Sequence, residues 1–293
     1  MQPAQTTLQT QPLTTLRVGG VPEHFNYPWH YAAEIQGFAR RGLEVRWQDF
    51  YEGTGAMTRC LADDELDMAV LLSEGAVAAI SRECPIRILG WYTESPLIWG
   101  VHTRAGFWTD LEQVRRPRFA ISRYGSGSHL MAHVLASQRG WTEYKFVVVD
   151  NLDGAVAAFA RKQADLFLWE RFTTQPIVDQ GHMVRIGECP TPWPGFLVVA
   201  TERALARQAA AVWSAFDQVT ATCREIRGTP NLPQRIAARF KLERSQVMEW
   251  LALTRWSASP VIQPDGLEAI IRRLSELDLL GSPVSPDRCL AQR

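Results

Sequence analysis

The residues best able to do chemistry fall at turns. Ser122-Arg-Tyr-Gly-Ser-Gly-Ser-His129 follows a short apolar run, Phe119-Ala-Ile121, and precedes Leu130-Met-Ala-His-Val-Leu135. This is the pattern of a strand that stops at a small-residue turn and restarts as a helix. Gly125 and Gly127 permit positive φ and close backbone approach, and Ser126 or Ser128 can cap the helix through its hydroxyl. The N–H groups from Ser126 through Gly127 and Ser128 to His129 would then lack helical partners and carry the positive end of the dipole. A phosphate, sulfonate or carboxylate suits such a place. An ordinary Gly/Ser turn that holds only water has the same pattern.

A second concentration of chemistry is Val21-Pro-Glu-His-Phe-Asn-Tyr-Pro-Trp29. Pro22 and Pro28 stiffen this loop, while Glu23, His24, Phe25, Asn26 and Trp29 offer charge, hydrogen bonds and flat apolar faces. Glu23 beside His24 could raise the imidazole pKa and make a switch or a general base; a satisfied histidine is the commoner case. His129, near a helix N-terminus, is expected neutral. It would either donate to an anion or face the interior. Gly53-Thr54 repeats the glycine-turn theme, and Ser73-Glu74 and Trp169-Glu170 end two further apolar runs. Glu74 and Glu170 could form a carboxylate pair, bind amine and amide donors of a heteroaromatic ligand, or bridge through Arg123. Trp169, Phe25 and Trp29 are candidate stacking walls.

Positioning these turns requires alternating strands and helices. Leu16–Gly20, Val45–Asp49 and Asp67–Leu72 read as strands, each followed by a turn and a helix, and the last run is apolar enough to be covered on both faces. Three such units predict a mostly parallel sheet with ligand-competent turns at the carboxyl ends of its strands. Ile86–Trp91 and Leu97–Val101 read as two further strands, with Tyr92–Ser95 between them. The pattern breaks between Val101 and Pro117 and restarts with Phe119–Ile121, Phe146–Val149 and Asp165–Leu168. The proline-rich Cys189–Gly195 reads as a crossing back to a strand at Phe196–Ala200. From Leu205 onward, apolar residues recur at four- and three-residue steps, so the chain closes with a long amphipathic helix and shorter ones after it.

Composition narrows the class. The chain has 293 residues, with 31 basic and 31 acidic side chains. That balance argues against a nucleic-acid or membrane-surface partner. Five dispersed cysteines suit a reducing compartment better than a disulfide framework. No metal site is expected from the histidine and cysteine spacings. No run approaches a membrane span, and the Gln/Thr-rich residues 1–15 lack an apolar signal core. The expectation is a disordered leader on a cytoplasmic protein, or a periplasmic one if a signal has been removed.

The expected architecture is α/β and two-lobed. Residues 16–102 and 194–293 form a discontinuous first lobe with the C-terminal helices, and residues 103–193 form the second. This order of elements resembles the type II periplasmic-binding-protein fold, each lobe a mostly parallel sheet flanked by helices with the ligand cleft between. Within that fold the sequence is similar to the nitrate/sulfonate/thiamine-precursor solute-binding proteins, which bind substrates for ABC transporters. Three stretches carry the resemblance: the Gly-Ser-Gly-Ser-His turn, Asp153-Gly-Ala-Val-x-Ala-Phe-x-x-x-x-Ala-Asp165, and Trp169-Glu170-x-Phe172-Thr173-Thr174. The resemblance implies ligand contacts from strand-end turns of both lobes. These are Pro22, Glu23, His24, Phe25 and Trp29; Gly53 and Thr54; Ser73 and Glu74; Ser126, Gly127, Ser128 and His129; and Trp169 and Glu170.

Chemistries known on this fold fit the residues poorly. A pyridoxal-phosphate synthase of the thiamine pyrimidine needs a cleft lysine and a cysteine cluster, but no lysine precedes Lys145. A desulfinase needs a cleft cysteine, whereas the Pro22–Trp29 loop has none and Cys60 falls on a helix face. A cofactor-free dehydratase leaves little signature. The expected function is therefore closure of two lobes on a small anionic or heteroaromatic metabolite, without cofactor, metal or assigned catalytic residue. The alternative is a cytosolic enzyme on the same scaffold using cleft Glu and His. A transporter or sensor partner is left unspecified.

Overall fold

The computed structural model describes residues 13–259, 261–262 and 264–293. The first half opens with β1 (Thr14–Gly20), α1 (Tyr27–Glu34), β2 (Leu43–Asp49), α2 (Thr54–Ala62), β3 (Met68–Leu72) and α3 (Ser73–Ser81). A long strand, β4 (Ile86–Thr103), leads into β5 (Arg118–Ile121), α4 (Gly127–Gln138), β6 (Lys145–Val148), α5 (Leu152–Ala160), β7 (Leu166–Glu170) and α6 (Gln175–Asp179). A second long strand, β8 (Val184–Thr201), returns to α7 (Glu202–Glu225), α8 (Leu232–Phe240), α9 (Arg244–Leu253), α10 (Pro264–Glu276) and α11 (Pro286–Cys289). β1 starts two residues inside the expected leader, because Thr14 pairs with Leu43; residues 1–12 of that leader lie outside the described residues.

The strand order is β2-β1-β3-β8-β4-β7-β5-β6. Within each half the first three strands are parallel, β1 pairing β2 and β3, and β5 pairing β6 and β7. Each trio is then flanked by an antiparallel strand from the long pair, β8 against β3 and β4 against β7. The two halves therefore repeat one topology and are joined by the β4–β8 ribbon. The same salt-bridged pin recurs in each. Arg17 donates through its backbone N and Nε to Asp67 Oδ2 at 2.8 and 3.1 Å, and Arg118 does so to Asp165 Oδ2 at 3.0 and 2.8 Å. Each aspartate stands just before the third strand of its trio and ties it to the first.

β4 corrects the expectation of two strands separated at Tyr92–Ser95. The chain stays extended there although the register against β8 shifts repeatedly, at Ile88/Gly90, Trp91/Thr93, Thr93/Pro96 and Pro96/Ile98. Side chains supply what the ladder loses: Thr93 Oγ1 accepts from Phe196 N, and Thr191 Oγ1 accepts from Leu97 N, both at 3.0 Å. Pro190, Pro192 and Pro194 lie within β8, not in a loop. Their two-residue spacing directs every missing N–H to one side of the strand, and Pro194 faces Pro96 where neither side needs a donor.

Candidate functional site

The carboxyl ends of β1, β2, β3, β5 and β7 bring turns from both halves to a small cavity of about 70 Å³. The first half contributes Val21, Glu23, Glu52, Gly53, Thr54 and Leu72; the second contributes Ser122, Arg123, Ser126, Gly127, Ser128, Trp169 and Glu170. Trp99, Leu97 and Phe196 reach it from the long ribbon. Gly53 enters α2 at φ +73°, a left-handed conformation that favours glycine.

The β5–α4 turn is held by its own serines. Ser126 accepts the His129 N–H as the helix cap at 3.3 Å and donates to Arg123 O at 2.7 Å. Ser128 Oγ accepts from Ser122 N at 2.9 Å and lies 3.0 Å from Ser126 Oγ. Gly127 sits where a Cβ would come within 2.8 Å of Leu72 Cδ1 and 2.9 Å of Trp99 Cη2. Glycine is needed here so that β3, β4 and α4 can meet at the cavity floor. Trp99 in turn packs edge-on to Trp169, with centroids 6.4 Å apart, and its buried indole N–H has no partner among the described residues.

Three carboxylates line this cavity, the exposed Glu52 and, from opposite halves, Glu23 and Glu170. Glu170 Oε2 accepts from Thr173 N at 2.7 Å and Thr173 Oγ1 at 2.8 Å. Burial raises its pKa to about 6. Burial, and then the charge on Glu170, also push Glu23 well above the ordinary carboxylate range. Both shifts run toward the protonated form, so the pair is suited to donate a hydrogen bond as well as to accept them.

A larger adjoining cavity, of about 430 Å³, is bounded by α2, α3 and the Arg123–Gly127 turn, with Leu274 and Leu279 behind it. Glu74 lines this cavity and not the smaller one. Its Oε2 accepts from Trp193 Nε1 at 2.9 Å, its Oε1 has no partner among the described residues, and burial raises its pKa to about 7. The pairing of Glu74 with Glu170 considered from sequence is thus replaced by Glu23 with Glu170.

Other residues expected in the cleft lie elsewhere. His24 is buried among Phe25, Phe172, Phe240 and Trp250, the last at 4.3 Å, and burial alone lowers its pKa to about 3. It is a core histidine that lines neither cavity. The Phe25 carbonyl is fixed by Tyr92 Oη and Trp256 Nε1, each at 2.8 Å, turning its ring onto Phe196 and Trp250. Trp29 is buried against Phe38 and Trp47. Ser73 is buried at the start of α3, and neither it nor Pro22 lines either cavity.

His129 faces inward, against Tyr124, His133 and Phe146. Its Nδ1 accepts from Gly125 N at 3.1 Å, leaving the proton on Nε2, 3.3 Å from His133 Nε2. His133 Nδ1 continues the chain to Tyr144 Oη at 2.9 Å. These two histidines are four residues apart, a metal-ligand spacing that departs from the expectation of none in the sequence. Their ring nitrogens are spent on this chain of hydrogen bonds, and among the described residues no group of three metal-ligating side chains forms. Trp99 and Arg123 complete the cleft wall. Trp99 gave only the weak signal of an indole in mid-strand.

Strand-end turns from two topologically repeated halves, converging across a shared ribbon, define the type II periplasmic-binding-protein fold. Comparison with known proteins agrees. The family described as Ca3427-like PBP matches residues 99–189. The Candida albicans CA3427 gene product, described as defining a new family with the generic periplasmic binding protein fold, superposes with a TM-score of 0.86 at 24% identity. That match covers 95% of this chain and 96% of that one. The alkanesulfonate-binding protein SsuA from Xanthomonas axonopodis pv. citri, bound to MOPS, gives 0.80 at 14% identity, over 97% and 100% of the two chains. The periplasmic nitrate-binding protein NrtA from Synechocystis PCC 6803 gives 0.73 at 14%, over 94% and 84%. No curated protein sequence is significantly similar to the chain. Among the described residues, no helix is long and apolar enough to cross a membrane.

Proposed function

We propose that the protein binds a small polar metabolite in the strand-end cleft and closes its two halves upon it. The observation that carries this reading is the meeting of Glu23 and Glu170 from opposite halves at one indole-walled cavity. Two buried carboxylates lining one cavity favour a ligand edge rich in N–H donors, and Trp169 and Trp99 favour a flat ring beside that edge. A heteroaromatic amine meets both conditions better than a simple anion does. The sulfonate- and nitrate-binding proteins of this fold support the solute-binding role, while the carboxylate pair points to a different ligand. Because the pair spans the halves, a ligand held by both carboxylates binds the closed arrangement better than the open one and so drives closure.

The test is to denature freshly purified protein and identify the released small molecules by mass spectrometry, then titrate each by calorimetry. Stoichiometric recovery of an unchanged ring compound bearing N–H donors, its affinity lowered by Glu170→Gln, supports the reading. A recovered ligand whose affinity is indifferent to Glu170→Gln and Trp169→Ala overturns it.

A further inference from the structure

The larger cavity differs in charge from the cleft beside it. Arg59 from α2, Arg82 from the end of α3 and Arg123 from the β5–α4 turn all line it. Arg82 gives one nitrogen to the Leu279 carbonyl at 3.0 Å, and Arg123 is partly desolvated beside the like charge of Arg59. Among the described residues no carboxylate pairs with any of the three. Of the acids in the wall, Glu83 faces outward toward Arg288 at 4.0 Å, and Glu74 is turned to Trp193.

The arginines also cross between the halves in opposite directions. Arg123, from the second half, lies against the first turn of α2, where a Cβ on Gly55 would stand 1.7 Å from Arg123 Nη2. Arg82, from the first half, reaches Gly125, whose Cβ would stand 3.7 Å from Arg82 Nη2. Glycine within a helix is unfavourable compared with alanine. Gly55 gives up that helix stability, and its missing side chain is what lets the Arg123 guanidinium approach. The geometry is therefore of like charges brought together across an interface, with a cavity between them and, among the described residues, no carboxylate paired to them; Glu74, whose Oε1 is unpartnered in the same wall, is held toward its neutral form by burial.

We infer that this cavity is a second binding site, adjoining the carboxylate cleft, for a phosphate-class oxyanion held by Arg59 and Arg123 with Arg82 at its rim. Guanidinium forks match the paired oxygens of a tetrahedral oxyanion, and a dianion offsets the repulsion between Arg59 and Arg123. The two cavities share Thr54, Leu72, Arg123, Ser126 and Gly127 as walls. The oxyanion can accordingly be free phosphate or the phosphate of a molecule that extends toward the indoles.

Calorimetric titration of the full chain at low ionic strength tests this, with inorganic phosphate in one arm and phenyl phosphate in the other. The variants are Arg59→Ala/Arg123→Ala, Arg123→Lys and, as a control lining neither cavity, Arg161→Ala. Unfolding midpoints identify any variant that fails to fold, and Arg123→Lys keeps the charge if the double variant does fail. The expected result is saturable binding in at least one arm, weakened about tenfold or more by the double variant and measurably by Arg123→Lys, but unchanged by Arg161→Ala. Binding in both arms assigns the site to free phosphate. Binding of phenyl phosphate alone assigns it to the phosphate of a larger ligand. The inference is overturned if neither arm binds, or if Arg161→Ala weakens binding as much as the double variant does. Neither probe carries an N–H donor, so the outcome is independent of the ligand proposed for the carboxylate cleft.

Discussion

Replacing Glu74 by Gln should change the pH dependence of stability. Glu74 is only 2% exposed, and burial lifts its pKa from 4.5 to about 7. A carboxyl raised in the folded state keeps its proton after the unfolded chain has lost it. Its contribution is therefore fully present below pH 4.5 and is lost as pH rises through about 7. Each pH unit in that window costs the folded state about 1.4 kcal/mol, or about 3 kcal/mol in all. Glutamine keeps the shape and an acceptor for Trp193 Nε1 but does not titrate. Any cost of burying its amide, about 1–3 kcal/mol, is the same at every pH. Urea denaturation of both proteins at pH 5 and pH 8 isolates the effect. The stability of Glu74→Gln relative to the parent should improve by about 2–3 kcal/mol between the two. Parallel stability–pH curves would refute the burial argument.

His24 predicts the opposite limb. Its pKa is lowered to about 3, so its contribution is complete above about pH 6.5 and fades as pH falls; His24→Phe should flatten the loss of Tm between pH 6.5 and 4.5. Gly127→Ala should destabilise by about 1–3 kcal/mol in chemical denaturation, because its Cβ meets both Leu72 and Trp99. Trp99→Ala, removing a buried ribbon side chain, should cost about 3–5 kcal/mol of stability. Trp169→Ala, at a half-buried position, should instead lower ligand affinity by roughly five- to 150-fold in calorimetry while sparing most of the stability.

The sequence makes β3 and β7 plain, because parallel strands covered on both faces are continuous apolar runs. The β5–α4 turn is equally plain from its Gly/Ser spacing and its cap. The long ribbon is not. Prolines at two-residue spacing read as a break unless one knows that only one side of the strand needs donors, and that Thr93 and Thr191 replace the lost partners. The Pro22–Trp29 loop is ambiguous for another reason. Stiff backbone and aromatic faces look alike whether they meet a ligand or a core. What turns His24 and Phe25 inward is Phe240 and Trp250, more than two hundred residues further along the chain. Arg123 was legible only as a bridge between acids; its approach to Gly55 depends on tertiary structure.

The pairing of β8 between β3 and β4 has a consequence for how the chain comes off the ribosome. Met68 pairs in register with Ala200, so the strand that covers the open side of β3 is made only after the whole second half. Until then β3 has an open edge, while residues 118–170 already hold the β5–β6–β7 trio, whose pairings are local. The second half can therefore acquire structure first, and the first half must wait for a contact whose loop-closure entropy is among the largest in the molecule. A chain released or stalled before Ala200 would expose the apolar edge of β3, the condition under which nascent sheets aggregate or recruit chaperones.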